Sequence, residues 1–266
     1  MKLITISTLI LFNHFILSNF NFKEDSLKPP FKFQTIIIDP GHGGKDPGAR
    51  GSHSLEKNVA LSISKKLKAA IVKDMPGIHV IMTRTTDKFV ELKRRVAIAN
   101  ENHGNLFISI HCNSSPEGIS ASRYKRKGVM VLVYGFYRKQ EQTEAIRENS
   151  SIYKEKNYKQ KYKTFTDPSN AIMISTFLQR YRKHSISFAS LLINGFRVHD
   201  KRTVLGVKEQ GVLVLTQSAM PAVLVETGFI NNPTEEKYLN SWTGQQQIVQ
   251  TIVRSIKNYR KKVTVR

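Results

Sequence analysis

Apolar positions in this 266-residue chain alternate between short continuous runs and helical stripes. Thr35 to Ile38 is an unbroken, β-branched run, the pattern of a strand buried on both faces. Glu56 to Val72 repeats Val59, Leu61, Ile63, Leu67 and Ile71 at helical spacing. His79 to Thr83 reads as a strand, and Glu91 to Asn100 as a short helix with Leu92, Val96, Ile98 and Ala99 inward. Leu106 to Ile110 and Val129 to Tyr134 read as strands, Ile186 to Phe196 as a helix, and Val212 to Leu215 and Ala222 to Val225 as strands. Gln245 to Tyr259 closes the chain as a helix with Ile248, Ile252 and Ile256 on one side. This alternation predicts an α/β fold: a single domain with a mostly parallel, twisted sheet and helices on both faces. Residues 136–184 break the rhythm, being polar and rich in Lys, Tyr and Gln before Ala171 to Leu178 turns apolar. A helical insertion over a site and a solvated excursion both fit that stretch.

The N-terminus follows a different pattern. Met1-Lys2 precedes a mostly apolar run to Leu17, interrupted at Asn13-His14, which predicts a secretory signal over residues 1–20. Residues 21–32, with Pro29-Pro30, read as a linker to a domain spanning 33–262. Nothing after residue 20 is apolar for long enough to span a bilayer, so no transmembrane span is expected in the mature chain. The one cysteine, Cys112, excludes an internal disulfide and a cysteine-rich metal site. Lys and Arg number 42 against 20 Asp and Glu, a net charge of +22. That excess favours a polyanionic neighbour: an anionic wall polymer, lipid headgroups or nucleic acid. Tyr153, Tyr158 and Tyr162 interleave with lysines, yet no nucleic-acid fold signature accompanies them, and no specific nucleic-acid partner is expected.

Four residues carry candidate chemistry. His42 lies in the glycine-rich turn Gly41-His-Gly-Gly44 directly after the first strand, where small neighbours let the backbone present an imidazole. The turn lacks a phosphate-loop signature. Glu56 opens a helix, a position that the helix dipole alone would also favour for a carboxylate. His53, on the preceding loop, is a rival ligand. His111 ends its strand, where Ser109, His111 and Asn113 share one face and Cys112 turns to the other, toward packing. Glu226 follows four apolar strand residues, and an unpaired buried carboxylate there would be costly. It either pairs with a cation such as Arg84 or faces a cleft as a general base. Two imidazoles and a carboxylate with an open fourth position make the donor set of a catalytic zinc ion. Three of the four residues sit at strand ends, where sheets of this kind place ligands.

Taken together, Ile38 to Gly48, Glu56, Met82-Thr-Arg84, Leu92, Arg95, Ala99-Asn100, Ser109-Ile-His111, Asn113, Gly206-Val-Lys208 and Pro221 to Asn231 resemble the zinc-dependent N-acetylmuramoyl-L-alanine amidases of the type-3 catalytic domain. The resemblance covers about residues 33–260. It implies Zn2+ held by His42, Glu56 and His111, with Glu226 as the catalytic carboxylate. It implies a peptidoglycan substrate, cut at the amide between the lactyl group of N-acetylmuramic acid and L-alanine, in wall remodelling or daughter-cell separation. It implies export to the periplasm or cell exterior, in association with the wall. Asn113 and Arg84 are expected substrate contacts. Cys112 stands where members often carry alanine. Some relatives block the zinc with a helix in the region that is least family-like here, about residues 140–185. Glu155 is the expected blocking carboxylate, and such a block would require a protein activator. A non-catalytic wall-binding module, or a deacetylase or carboxypeptidase acting on the same polymer, are the rival readings.

Overall fold

A computed structural model describes residues 32–115, 125–135, 142–163 and 168–264. The expected signal, nearly all of the linker, and residues 136–141 and 164–167 of the expected insertion lie outside the described residues.

The apolar runs become six strands: β1 (Thr35–Pro40), β2 (His79–Met82), β3 (Leu106–Asn113), β4 (Val129–Tyr134), β5 (Val204–Gln210) and β6 (Ala222–Phe229). They form one sheet in the order β2-β1-β3-β6-β4-β5. β2, β1, β3 and β6 run parallel, β4 runs antiparallel to β6, and β5 runs parallel to β4. The carboxyl ends of β1, β3 and β6 therefore lie side by side, with His111 in register with Glu226.

The helices are α1 (Glu56–Asp74), α2 (Leu92–Glu101), α3 (Thr143–Asn149), α4 (Tyr158–Lys163), α5 (Pro168–Val198), α6 (Leu213–Thr216), α7 (Pro233–Asn240) and α8 (Trp242–Thr264), with a 3-10 segment at Ser150–Lys154. They cover both faces unequally. On one face, α1, α5 and α8 bury Ile63, Leu67, Phe188, Phe196, Ile252 and Ile256 against Ile36, Ile38, Ile108, Ile110 and Cys112. On the other, α2, α3 and α6 contribute Val96, Ala99, Ala145, Val214 and Leu215 over Ile37, Phe107, Leu132 and Leu224. Each large aliphatic side chain buried in this way contributes roughly 1.5–3 kcal/mol. Strand alternation sets the chemistry on the smaller face, because Asp39 follows Ile37 by two residues, Ser109 and His111 follow Phe107, and Glu226 follows Leu224. No helix among the described residues is long and apolar enough to cross a membrane.

Two elements differ from the sequence expectation. Val212 to Leu215, expected as a strand, falls within the one-turn helix α6 and its N-cap. The strand position beside β4 is filled instead by Val204–Gln210. This is an edge strand, half exposed along most of its length, so no clean alternation marks it. Ile186 to Phe196 is the last third of the 31-residue helix α5, which also takes in the apolar run at 171–178.

Candidate metal centre

Construction of the site begins with a turn fixed by two buried arginines. Arg84 donates through Nε to the Pro40 carbonyl (3.0 Å) and through Nη2 to those of Gly41 (2.6 Å) and Lys57 (2.8 Å). Arg95 donates to the Pro40 and His42 carbonyls, each at 2.6 Å, and pairs with the buried Asp39 carboxylate at 2.8 Å. Burial opposes charge on Asp39, but Arg95, with hydrogen bonds from Thr83 and Ser109, outweighs it and holds the carboxyl below its ordinary value. Three consecutive carbonyls are thereby held in place, and His42 takes a left-handed φ of 57°. Gly41 is required by contact, since a Cβ there would lie 2.4 Å from the His111 ring. Gly48, at φ 67°, would collide with both His42 and Glu56 if it carried a side chain.

Glu56 enters from the start of α1. Its Oε2 accepts from the Ala49 amide (2.8 Å) and its Oε1 from the Cys112 amide (2.9 Å), so the carboxylate faces the strand ends and is fully buried. The loop ahead of it is tied down by Glu236 of α7, which accepts the backbone amides of Ser52, His53 and Ser54. His53 stays in this loop, 3.4 Å from Glu236, and does not join the cluster.

His42, Glu56 and His111 meet, and a fourth residue, Glu148 of α3, joins them: one ligand atom from each lies within 4.8 Å of all the others. His42 Nε2 is 3.2 Å from Glu56 Oε2 and 3.2 Å from Glu148 Oε2. His111 Nδ1 is 3.0 Å from Glu56 Oε1 and 2.8 Å from Glu148 Oε2. Yet His42 Nε2 and Glu148 Oε2 are buried without a hydrogen-bond partner among the described residues. Polar atoms this close that are not bonded to one another have lone pairs converging on a common point, which a cation satisfies. On the far side of the ring, His42 Nδ1 donates to Asp46 Oδ2 at 2.8 Å, leaving Nε2 as the ligand atom. Burial opposes charge on both histidines, but the carboxylates outweigh it, raising His42 well above its usual value and His111 to about 9. The site therefore attracts positive charge, and a divalent cation meets that demand.

Glu226, completely buried on β6, completes the centre. Its partner is Arg147 of α3 at 2.6 Å; Arg84 is committed to the turn carbonyls. Arg147 also reaches Glu148 Oε1 (2.7 Å) and Asn113 Oδ1 (2.7 Å). Glu226 Oε2 has no hydrogen-bond partner among the described residues. Burial pushes the Glu226 carboxyl up to about 8; Arg147 opposes the rise and the Glu148 and Glu56 charges add to it. Only a cavity of about 10 Å³ remains between His42, His111, Glu148 and Ser151.

Two sequence expectations need correction. Glu155 is not the carboxylate at the centre: it accepts from the Leu92 amide and the Tyr162 hydroxyl, each at 2.9 Å, and ties the insertion to α2. Glu148, seven residues earlier, occupies the position expected for it, because α3 and not the following 3-10 turn points at the strand ends. Arg84 donates to the Pro40, Gly41, Lys57 and Thr86 carbonyls, which commits it to holding the turn and not to a substrate. Asn113 lies at the site, with its Oδ1 occupied by Arg147 and its Nδ2 without a hydrogen-bond partner among the described residues. Sequence reasoning missed Arg147 and Glu148. Their signal was an adjacent pair of opposite charges in a polar helix, which solvated helices also carry.

Comparison with known proteins gives one family. The model described as N-acetylmuramoyl-L-alanine amidase matches residues 36–258. The protein named "Probable cell wall amidase LytH" of Staphylococcus epidermidis is 35% identical over 233 residues, covering 86% of this chain and 60% of that relative. This chain thus spans less than two thirds of that relative's length. A crystal structure of an N-acetylmuramoyl-L-alanine amidase from Clostridium difficile superposes with a TM-score of 0.64 at 26% identity, over 86% of this chain and 97% of the other. The CwlD amidase from Clostridioides difficile, solved in complex with the GerS lipoprotein, gives a TM-score of 0.61 at 25% identity over 86% and 99% of the two chains.

Proposed function

The chain belongs to the N-acetylmuramoyl-L-alanine amidase family, and from that premise we propose that it hydrolyses the amide between the lactyl group of N-acetylmuramic acid and the L-alanine of peptidoglycan stem peptides. The observation that carries this reading is the convergence of His42, Glu56 and His111, with His42 Nε2 orphaned among the described residues, beside the buried Glu226. These three residues would hold Zn2+, and their donor set of two imidazoles and a carboxylate suits that ion. When bound, zinc supplies Lewis acidity toward the carbonyl oxygen and toward water. Asp46 keeps a proton on His42 Nδ1, and the arginine-held turn keeps His42 Nε2 toward the Glu56 carboxylate with which it would share the metal. Glu226 takes a proton from water at Oε2 and returns it to the leaving amine nitrogen. The amide C–N bond breaks as a C–O bond forms, giving a lactyl carboxylate and a free L-alanine amine. Burial in an apolar strand end favours proton uptake by Glu226, the property that a proton shuttle requires.

The insertion stands in the way. Glu148 sits on the ligand cluster and Arg147 on Glu226, and a 10 Å³ cavity has no room for a muropeptide. We read α3 as a self-blocking helix that a protein activator displaces; the lipoprotein bound to the CwlD relative supports a partner of this kind. Export of the chain and wall association follow from the same reading.

Purified sacculi test the activity. An Arg147→Ala/Glu148→Ala variant should release products with a free lactyl carboxyl and an L-alanine amino terminus, read by mass spectrometry, and a chelator should stop it. Glu226→Ala added to that variant should keep its metal and lose about 10²–10⁴-fold in rate. Undiminished hydrolysis in the Glu226→Ala protein would reject the mechanism, and deacetylated or carboxy-trimmed products would reject the bond assignment.

A further inference from the structure

The chain's single tryptophan stands on the surface. Trp242 opens α8 with 70% of its area exposed, and no ring or cation packs on it among the described residues. It borders a groove of about 280 Å³, lined by His199 and Asp200 past the end of α5 and by Gln246, Gln250 and Arg254 of α8. Trp242, Gln246, Gln250 and Arg254 are each four residues apart, so they form one stripe along the helix. Another side of α8 does the packing, with Ile248, Val249, Ile252 and Ile256 buried in the core. The Gln246 and Gln250 amides have no hydrogen-bond partner among the described residues. Asp200 accepts at Oδ1 from the Thr251 hydroxyl (2.6 Å), whereas its Oδ2 is enclosed and unpaired. Asp200 lines the groove, so its carboxylate is the acidic group that a ligand there would meet.

This lining selects among ligand classes. A docking helix needs an apolar floor, and only Trp242 supplies one. A phosphate polymer would find Arg254 but also the Asp200 carboxylate. A pyranose suits the groove on both counts: its C–H face lies on a flat indole, and its hydroxyl and acetamido groups pair with amides, which donate and accept at once. The groove lies at the Glu226-bearing end of the sheet, since Arg202, two residues after Asp200, donates to the Thr227 carbonyl at 2.5 Å.

We propose that this groove is a second, non-catalytic site that binds a glycan of N-acetylated aminosugars. That the glycan is the wall strand whose stems the metal centre cuts rests on the amidase reading; the sugar chemistry does not. Because Trp242 is the only tryptophan, its fluorescence reports the groove directly. Titration of the full-length protein with N-acetylchitotetraose should give a saturable emission change. Asp200→Asn and Gln250→Ala should each weaken that binding about tenfold, a change of 1.4 kcal/mol. Trp242→Ala, at an exposed position, should keep the wild-type circular dichroism and sediment with purified sacculi about tenfold less. An unchanged emission, or an equal response to maltotetraose, which lacks acetamido groups, overturns the assignment. With Arg147→Ala/Glu148→Ala in place to free the metal centre, oligosaccharide binding without any cleavage of sacculi would reject the amidase reading alone; cleavage of a soluble muropeptide by that variant with a silent tryptophan would reject the groove alone.

Discussion

Glu56 and Glu148 both come within 3.2 Å of His42 Nε2, but by different routes. Glu56 begins a 19-residue helix whose Val59, Ile63, Leu67 and Ile71 are buried in the larger core, and two backbone amides aim its carboxylate. Glu148 rides on a seven-residue helix in which Ala145 is the buried apolar residue. That helix is tethered by polar bonds: Gln210 to the Ala145 amide, Asn149 to Gly211 and Leu213, and Arg147 to Glu226, Asn113 and Ser114. Apolar burial cannot be exchanged for anything water offers, whereas a polar tether can be replaced by water or a partner at small net cost. The half of the site carried by the sheet and α1 is thus held by apolar burial, and the insertion-borne half by polar tethers, as the self-blocking reading requires.

The comparison can be broken at its strongest point first. If α3 is held by charge, Arg147→Ala/Glu148→Ala should raise hydrolysis of sacculi by the full-length chain on the order of 100-fold, since each charge-assisted hydrogen bond is worth about 1.5–3 kcal/mol. A rate no higher than wild type would show that α3 does not guard the centre. Asp46 belongs to both halves, accepting from His42 on one side and from Ser151 and Lys154 of the insertion on the other. Asp46→Ala should loosen metal binding about 10–100-fold in competition with a chromogenic chelator. Unchanged affinity would remove Asp46 from the orienting role.

The smallest effect lies in the scaffold. Burial opposes charge on Glu236, but hydrogen bonds from His53, Ser54 and Ser52 prevail and hold its carboxyl below the ordinary 4.5. A carboxylate with a depressed folded value adds stability above its unfolded value and loses it as pH falls through the folded one. Lowering the pH from neutrality to below 4.5 should therefore reduce the wild-type Tm more than that of Glu236→Gln, and parallel pH profiles would contradict the assignment.

The strands that carry the site were legible because they are buried on both faces. Ile36 to Ile38 and Leu106 to Ile110 are continuous apolar runs, and a polar residue ending such a run, such as His111, stands out. The edge strand Val204–Gln210 was missed, since an edge has no second buried neighbour to impose a pattern. Helix α7 went unread, although Asn232 caps it and Pro233 opens it, because its sequence is mostly polar. Arg147 and Glu148 were missed for a related reason: only their position over the strand ends separates them from a solvated ion pair.

The sequence by itself determined five of the six strands, the helices that face the larger core, and the placing of His42, Glu56, His111 and Glu226 beside buried runs. Local pattern reports burial, and these residues interrupt or adjoin buried runs. Tertiary structure alone decided that Glu148 completes the cluster, that Arg147 and not Arg84 neutralises Glu226, and that Trp242 stands over an open groove. Those outcomes depend on where a polar helix comes to rest, and charge pairs across about 80 residues of chain leave no periodic trace.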